Sequence, residues 1–231
     1  MDTTTPASEH VVVEHSGAIV TVTFNRPEAR NAMTWAMYER LHEVCEEVDR
    51  DDAVRVLVLK GAGGKAFVAG TDIAQFTTFE SGDDGLRYER DADLRIATPE
   101  SRFGAPIART LGNCLSMRAY SRYLDLLGPS RLKEMIFTAR LMHADEALAA
   151  GFVHEIVAAD AITARVRELA ATIASHAPIT LWVTKEAIRR IQESRALPSG
   201  EDLVATTYGS ADFREGVAAF LAKREPRWTG R

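Results

Sequence analysis

The chain is poor in cysteine. Cys45 and Cys114 are the only two among 231 residues, which excludes a disulfide framework, and their spacing is not that of a metal site. Long apolar runs are also missing. No stretch approaches 18 consecutive apolar residues, so no membrane-spanning helix is expected. Residues 1–10 lack the charged-then-apolar pattern of a signal peptide, and the expected location is cytoplasmic. Excess positive charge is lacking. A net charge of −5 and a pI near 5.7 exclude a general nucleic-acid binder, although a local basic patch can still hold an anionic ligand. The six histidines (10, 15, 42, 143, 154 and 176) are scattered, with no metal or His/Asp spacing. Each reads as a surface or structural residue, and no metal site is expected.

What is present suits a soluble globular chain: 46% hydrophobic and 26% charged residues, enough at this length for a large core. Residues 11–15 and 18–25 read as two strands joined at Ser16-Gly17. In the second, Val20, Val22 and Phe24 alternate with Thr21, Thr23 and Asn25, so one face is apolar. Residues 26–33 form a loop, Thr34 is a candidate N-cap, and Trp35, Tyr38, Leu41, Val44, Cys45 and Val48 mark one face of a helix ending near Asp49. Cys45 is therefore expected to be buried. Residues 54–59, Val-Arg-Val-Leu-Val-Leu, suit a buried strand. Later helices are expected at 115–127, 130–139, 144–150, from Ile162 to Ile173, at 179–194, 201–208 and 212–222, with a short strand at 152–157. Residues 81–93 are polar and partly helical at most. Strands with crossovers first and helices last suit an α/β core with a helical appendage.

The stretch that organises the chain is residues 61–76. Gly61, Gly63 and Gly64 end the strand, Gly70 leaves the backbone bare, and Asp72 is a candidate cap for a following helix. Such a turn leaves backbone N–H groups, notably that of Thr71, aimed at a developing negative oxygen. On composition alone a glycine-rich loop is more often punctuation than a site. Nor is Gly61-Ala62-Gly63-Gly64 the Gly-x-Gly-x-x-Gly of a dinucleotide fold.

The literal strings carry more. Lys65-Ala66-Phe67-Val68-Ala69-Gly70-Thr71-Asp72-Ile73 closely resembles the first oxyanion-hole loop of the crotonase superfamily, the enoyl-CoA hydratase/isomerase family. Phe24-Asn25-Arg26-Pro27-Glu28-Ala29-Arg30-Asn31-Ala32-Met33 resembles its CoA-flanking loop. Further strings resemble the family at residues 93–97 (Asp-Leu-Arg-Ile-Ala), at the Phe103-Gly104-Ala105-Pro106 turn, at 144–153, and from Ser210 to Arg231.

The resemblance implies a crotonase-like ββα spiral core over 1–178 and a C-terminal helical oligomerisation region over 179–231. It implies an acyl-CoA substrate, no added cofactor beyond that CoA, and a homotrimer or hexamer. It assigns Thr71 N–H as an oxyanion donor. Ala29, Arg30, Lys65, Ala66, Ala69, Gly70, Asp72, Ile73, Phe220 and Lys223 become substrate or CoA contacts. Ile107, Arg109 and Asn113 fall where the acyl group would lie.

Two family features are missing. Tyr88-Glu89-Arg90-Asp91 runs directly into Ala92-Asp93-Leu94-Arg95, where the family carries a further helix, strand and glycine-rich turn. No Gly-Gly-Gly turn occurs anywhere. In the family that segment supplies the second oxyanion donor and one glutamate. After Phe103-Gly104-Ala105-Pro106, where the family places its other glutamate, residues 107–113 contain no carboxylate. Glu100 and Asp93 read as turn or strand-end residues. Hydration needs a positioned proton carrier, so a catalytically impaired or non-catalytic acyl-CoA-binding or subunit-interaction protein stands as the alternative.

Overall fold

The computed structural model describes residues 7–73, 93–195 and 197–231. The expected partly helical stretch and the chain junction after Asp91 lie outside the described residues, except for Asp93. The chain divides into two compact units, Met1–Asp72 with Thr163–Arg195, and Ile73–Ile162 with Ala196–Arg231.

The first unit begins with α1 (Ala7–His10) and the expected hairpin. β1 (Val11–Ser16) and β2 (Ile19–Phe24) pair antiparallel across Gly17. The period-two pattern holds: Val20 and Val22 are fully buried and Phe24 nearly so, while the alternate positions are not. Thr34 caps α2 (Trp35–Arg50), its side chain accepting from the Met37 backbone N–H. Met37, Val44 and Cys45 are buried, and Val44 and Met37 pack with Val11, Val22, Phe24 and Met33. Full burial of side chains of this size is worth about 1.5–3 kcal/mol each. The crossover through α2 lets β3 (Val56–Gly61) pair parallel with β2, giving sheet order β1-β2-β3.

The strand expected at 54–59 therefore begins and ends two residues later. Val54 N–H is taken by Asp51 O in a turn, and Arg55 and Val56 both donate to Ala18 O. Gly61, opposite Phe24, is the last residue of β3, as expected. α6 (Ile162–Ser175) and α7 (Pro178–Glu193) complete the unit, with Pro178 in the first turn of α7. Arg55 donates to His176 O at the α6–α7 turn, at 2.8 Å.

The second unit is built on short pairings. β4 (Ile96–Ala97) runs parallel to β7 (Glu155–Ile156), and β5 (Arg102–Phe103) antiparallel to β6 (Met142–His143). The strand expected at 152–157 pairs at only two residues, because Phe152 and Val153 donate to Ala147 O and close the turn after α5 (Ala144–Ala149). Before these come α3 (Ile107–Thr110) and α4 (Met117–Thr138). α4 is the two expected helices in sequence, broken at Gly128 (φ 70°, ψ 165°) ahead of Pro129. Leu127, Leu132, Met135, Met142 and Val153 form the buried core.

α8 (Glu201–Tyr208) and α9 (Ala211–Leu221) end the chain's helices. Gly216 of α9 lies against the Leu111 carbonyl, and Gly112 against the Trp228 ring. Asp212 accepts from Thr229 N (2.7 Å), Thr229 Oγ1 (2.9 Å) and Gly230 N (2.8 Å). Glu215 accepts from Arg224 (2.8 Å) and from Arg227 N (2.8 Å). The Arg224 guanidinium, with help from the Arg227 amide, holds the Glu215 carboxyl down to about 2.

Candidate active site

Two loops of the first unit are laced together by one side chain. Asn31 is fully buried and in the left-handed region (φ 57°), a conformation Asn tolerates better than most residues. Its Oδ1 accepts from Arg26 N (2.9 Å), and its Nδ2 donates to Ala62 O (3.0 Å) and Ala66 O (2.8 Å). Gly61 must lack a side chain for this to fit, since a Cβ there would overlap the Ala66 and Phe67 carbonyl oxygens and Asn31 Nδ2.

A second tie is ionic. Arg26 Nη1 donates to Ala32 O (2.7 Å) and to Asp72 Oδ2 (3.1 Å), with both side chains mostly covered. Asp72 is expected to cap a helix that falls outside the described residues. Its described ionic partner is Arg26, and the chain beyond Ile73 lies outside the described residues until Asp93.

Backbone bonds complete the lacing. Ala69 N donates to Arg30 O (3.1 Å), Met33 N to Gly70 O (2.9 Å), and Asp72 N to Met33 O (2.8 Å). The last two form a parallel bridge between Met33 and Thr71. In such a bridge the flanking groups of residues 70 and 72 face Met33, so the N–H of Thr71 points to the opposite side. Gly70, at φ 103°, makes the bend that sets this peptide, a conformation L side chains rarely adopt. Among the described residues the Thr71 N–H has no acceptor. A fixed and unused donor of this kind is what oxyanion stabilisation requires.

The remaining expected contacts sort by place. In the first unit, Ala29 ends a 3-10 turn and is half-buried, and Arg30 (φ 50°) is exposed. Lys65, Ala69 and Gly70 are exposed, and Ala66 and Thr71 half-buried. No ion pair or side-chain hydrogen bond of Arg30 or Lys65 is found among the described residues. The lacing thus brings Ala29, Arg30, Lys65, Ala66, Ala69, Gly70, Thr71 and Asp72 into one loop pair.

Ile73, Ile107, Arg109, Asn113, Phe220 and Lys223 belong to the second unit. There Ile107 opens α3 and is half-buried, and Arg109 is exposed. Asn113 is half-buried, its Oδ1 enclosed without a hydrogen-bond donor among the described residues. Phe220 is 48% exposed. Lys223 follows α9 at φ 51°.

Two features of the loop pair were invisible to motif reading. Asn31 looked like one letter of a loop, and Tyr38 like part of an apolar stripe. Tyr38 Oη lies 2.9 Å from Thr71 Oγ1. Burial pushes the Tyr38 phenol above its ordinary value, an effect the bond to Thr71 only partly offsets. The phenol therefore stays protonated through the neutral range. Among the described residues no helix is long and apolar enough to cross a membrane, and no cluster of three or more metal-ligating side chains occurs.

The site can now be set beside known proteins. Two family models, both described as enoyl-CoA hydratase/isomerase, match residues 19–98 and 84–231. A short-chain-enoyl-CoA hydratase of Clostridium acetobutylicum is 29% identical, the match covering 94% of this chain and 96% of that protein. That match runs over 251 residues against the 231 of this chain, so the relative has at least 20 positions with no counterpart here. The fold is similar to that of methylmalonyl-CoA decarboxylase in complex with 2-nitronate-propionyl-CoA, with TM-score 0.85 and 25% identity over 96% of this chain and 99% of the other. It is similar as well to an enoyl-CoA hydratase/isomerase of Pseudoalteromonas atlantica, with TM-score 0.79 and 25% identity over 95% and 100%. With a family model spanning well over half of its length, the chain belongs to the enoyl-CoA hydratase/isomerase family of the crotonase superfamily.

Proposed function

We propose that the protein acts on an acyl-CoA thioester, polarising its carbonyl with the Thr71 backbone N–H. The observation that carries this is the unused Thr71 donor, held rigid by the Met33 bridge and the Arg26–Asp72 pair. Arg30 and Lys65 offer exposed cations to the CoA phosphates, and Ala29, Ala66, Ala69, Gly70 and Ile73 supply small or apolar walls. Asp72 serves by holding the loop. By the family resemblance alone, Phe220 and Lys223 are proposed as CoA contacts and Ile107, Arg109 and Asn113 as acyl contacts. No cofactor beyond the substrate's own CoA is needed, and the protein works in the cytoplasm.

Assembly is part of the reading. Residues 1–178 form the spiral core and 179–231 the oligomerisation region of a homotrimer or hexamer. α7 supports this, because Ile179, Trp182, Val183, Ile188 and Ile191 are 75, 62, 49, 53 and 61% exposed. Apolar side chains in that number on one surface helix want a partner. Light scattering at micromolar concentration should give a trimer or larger, and a monomer would count against it.

The chemistry is narrower than hydration. No carboxylate occurs in residues 107–113, so addition of water to crotonyl-CoA should be very slow. Enolate formation asks less. A second reading is decarboxylation of a malonyl-type thioester, favoured by the missing carboxylate together with the likeness to methylmalonyl-CoA decarboxylase. The bond from the α-carbon to the carboxylate breaks, its electron pair passes into the enolate oxygen held by Thr71 N–H, and carbon dioxide leaves. The α-carbon then takes a proton from water. No general base is required.

Calorimetry with acetoacetyl-CoA tests the binding claim. Absence of heat at millimolar ligand, where even an affinity near −4 kcal/mol registers, sinks it. Arg30→Ala should weaken binding about tenfold, and added salt should weaken it further. Loss of the conjugated thioester absorbance of crotonyl-CoA at about 10 per second, a median enzyme rate, would show that another residue carries the proton.

A further inference from the structure

Thr71 is held twice by the same short segment of chain. Met33 takes its backbone neighbours in the parallel bridge, at 2.9 Å from Gly70 O and 2.8 Å from Asp72 N. Five residues later, Tyr38 on the first turn of α2 takes its side chain, Oη to Oγ1 at 2.9 Å. The two ends of this clamp are themselves fixed. Thr34 caps the helix between them, and Tyr38 N–H donates to Thr34 O. The Tyr38 ring packs near Trp35, with centroids 6.0 Å apart. The Tyr38 ring also packs against the core around Met37 and Val44, and its hydroxyl adds a polar contact to that packing. That contact is a side-chain tether on Thr71, beside the backbone bridge that fixes the peptide carrying the unused N–H.

We propose that Tyr38 is a positioning residue for the oxyanion donor, orienting the Thr71 N–H through the Thr71 hydroxyl. This rests on the reading of Thr71 as that donor. Among the described residues Thr71 N–H is the donor assigned to the enolate oxygen, so its direction matters more than where several share the charge. Small misplacements of a catalytic group cost rate far more than binding. Tyr38 itself touches no reacting atom.

The test compares Tyr38→Phe, Thr71→Ala and Thr71→Ser, alone and combined, in the full-length protein. The first readout is α-deuterium exchange of butyryl-CoA, split into kcat and KM. The second is the Raman carbonyl stretch of bound butyryl-CoA, isotope-labelled at the thioester carbonyl, which needs no turnover. Tyr38→Phe should lower kcat about tenfold with KM within about twofold, and should reverse part of the carbonyl shift. Thr71→Ala should do the same, the double variant should be no worse than either, and Thr71→Ser should restore the wild-type values.

If the wild-type carbonyl shift is present and Tyr38→Phe retains it in full, the positioning role is wrong while the oxyanion reading stands. A wild-type protein that binds butyryl-CoA without any carbonyl shift overturns both. Effects of the two single variants that simply add, or a rise in KM alone, also overturn the positioning role. Should Tyr38→Phe unfold, Thr71→Ala against Thr71→Ser reads the same hydroxyl from the other side, and equal rates for these two sink the proposal.

Discussion

Two regions of the molecule use buried or anchored side chains to fasten backbone, and they end differently. In the loop pair of the first unit, Asn31 spends both ends of its amide and Asp72 its carboxylate, yet the Thr71 N–H is left over. In the tail of the second unit, Asp212 and Glu215 consume the N–H groups of Arg227, Thr229 and Gly230, and Ala211 and Asp212 donate to Arg231 O. Orphaned backbone donors are costly when covered. A tail that spends its donors is a closure, and a loop that keeps one unused while fixing everything around it has the geometry proposed above for a site.

The comparison breaks most easily at Asn31. Asn31→Ala removes three hydrogen bonds from a fully buried position. With unsatisfied buried partners costing about 1–3 kcal/mol each, the loss should be about 3–5 kcal/mol by urea unfolding. A loss under 1 kcal/mol would show that the loops are held by something else. Gly61→Ala should come next, near 2 kcal/mol, because its Cβ overlaps the Ala66 and Phe67 carbonyls and the chain must shift. It should also blunt α-proton exchange, since the same shift carries Lys65 to Thr71 with it.

The tail should respond more gently. Asp212→Ala frees the amides of Thr229 and Gly230. Hydrogen exchange at those two positions should accelerate markedly with little change in global Tm. A global collapse would make the tail part of the core rather than a closure over Gly112 and Leu111.

The smallest effect is one of pH. Glu215 sits at about 2 against an ordinary 4.5. As pH falls the unfolded chain takes up this proton before the folded one does. The stabilisation from Glu215 is therefore complete above about 4.5 and is lost as pH falls from there toward 2. Glu215→Gln should flatten the fall of Tm across that window and leave the slope above pH 5 alone.

Local signals were legible wherever a single residue type settles a local choice. The alternation in β2, the Thr34 cap, the break between the helices expected at 115–127 and 130–139, the end of the helix expected at 144–150 and the start of the one expected at 179 all appear at or within a residue of their expected places. Misreadings arose where backbone partners come from far along the chain. The start of β3 is set by Ala18 O, which captures Arg55 and Val56. The limits of β7 are set by Ala147 O on one side and by the partners Ile96 and Ala97 on the other. The Arg26–Asp72 pair spans 46 positions, and neither residue's neighbours advertise the other.

The amino-acid order by itself determined the elements, their apolar faces and the family strings around Thr71, because propensity, capping and periodicity act within a few residues. The sequence already singled out the Thr71 N–H, and only the tertiary structure decided what holds it in place. That depends on Met33, Asn31 and Tyr38 meeting residues 61–72 from one side, and loop closure of that length carries no local trace in the chain.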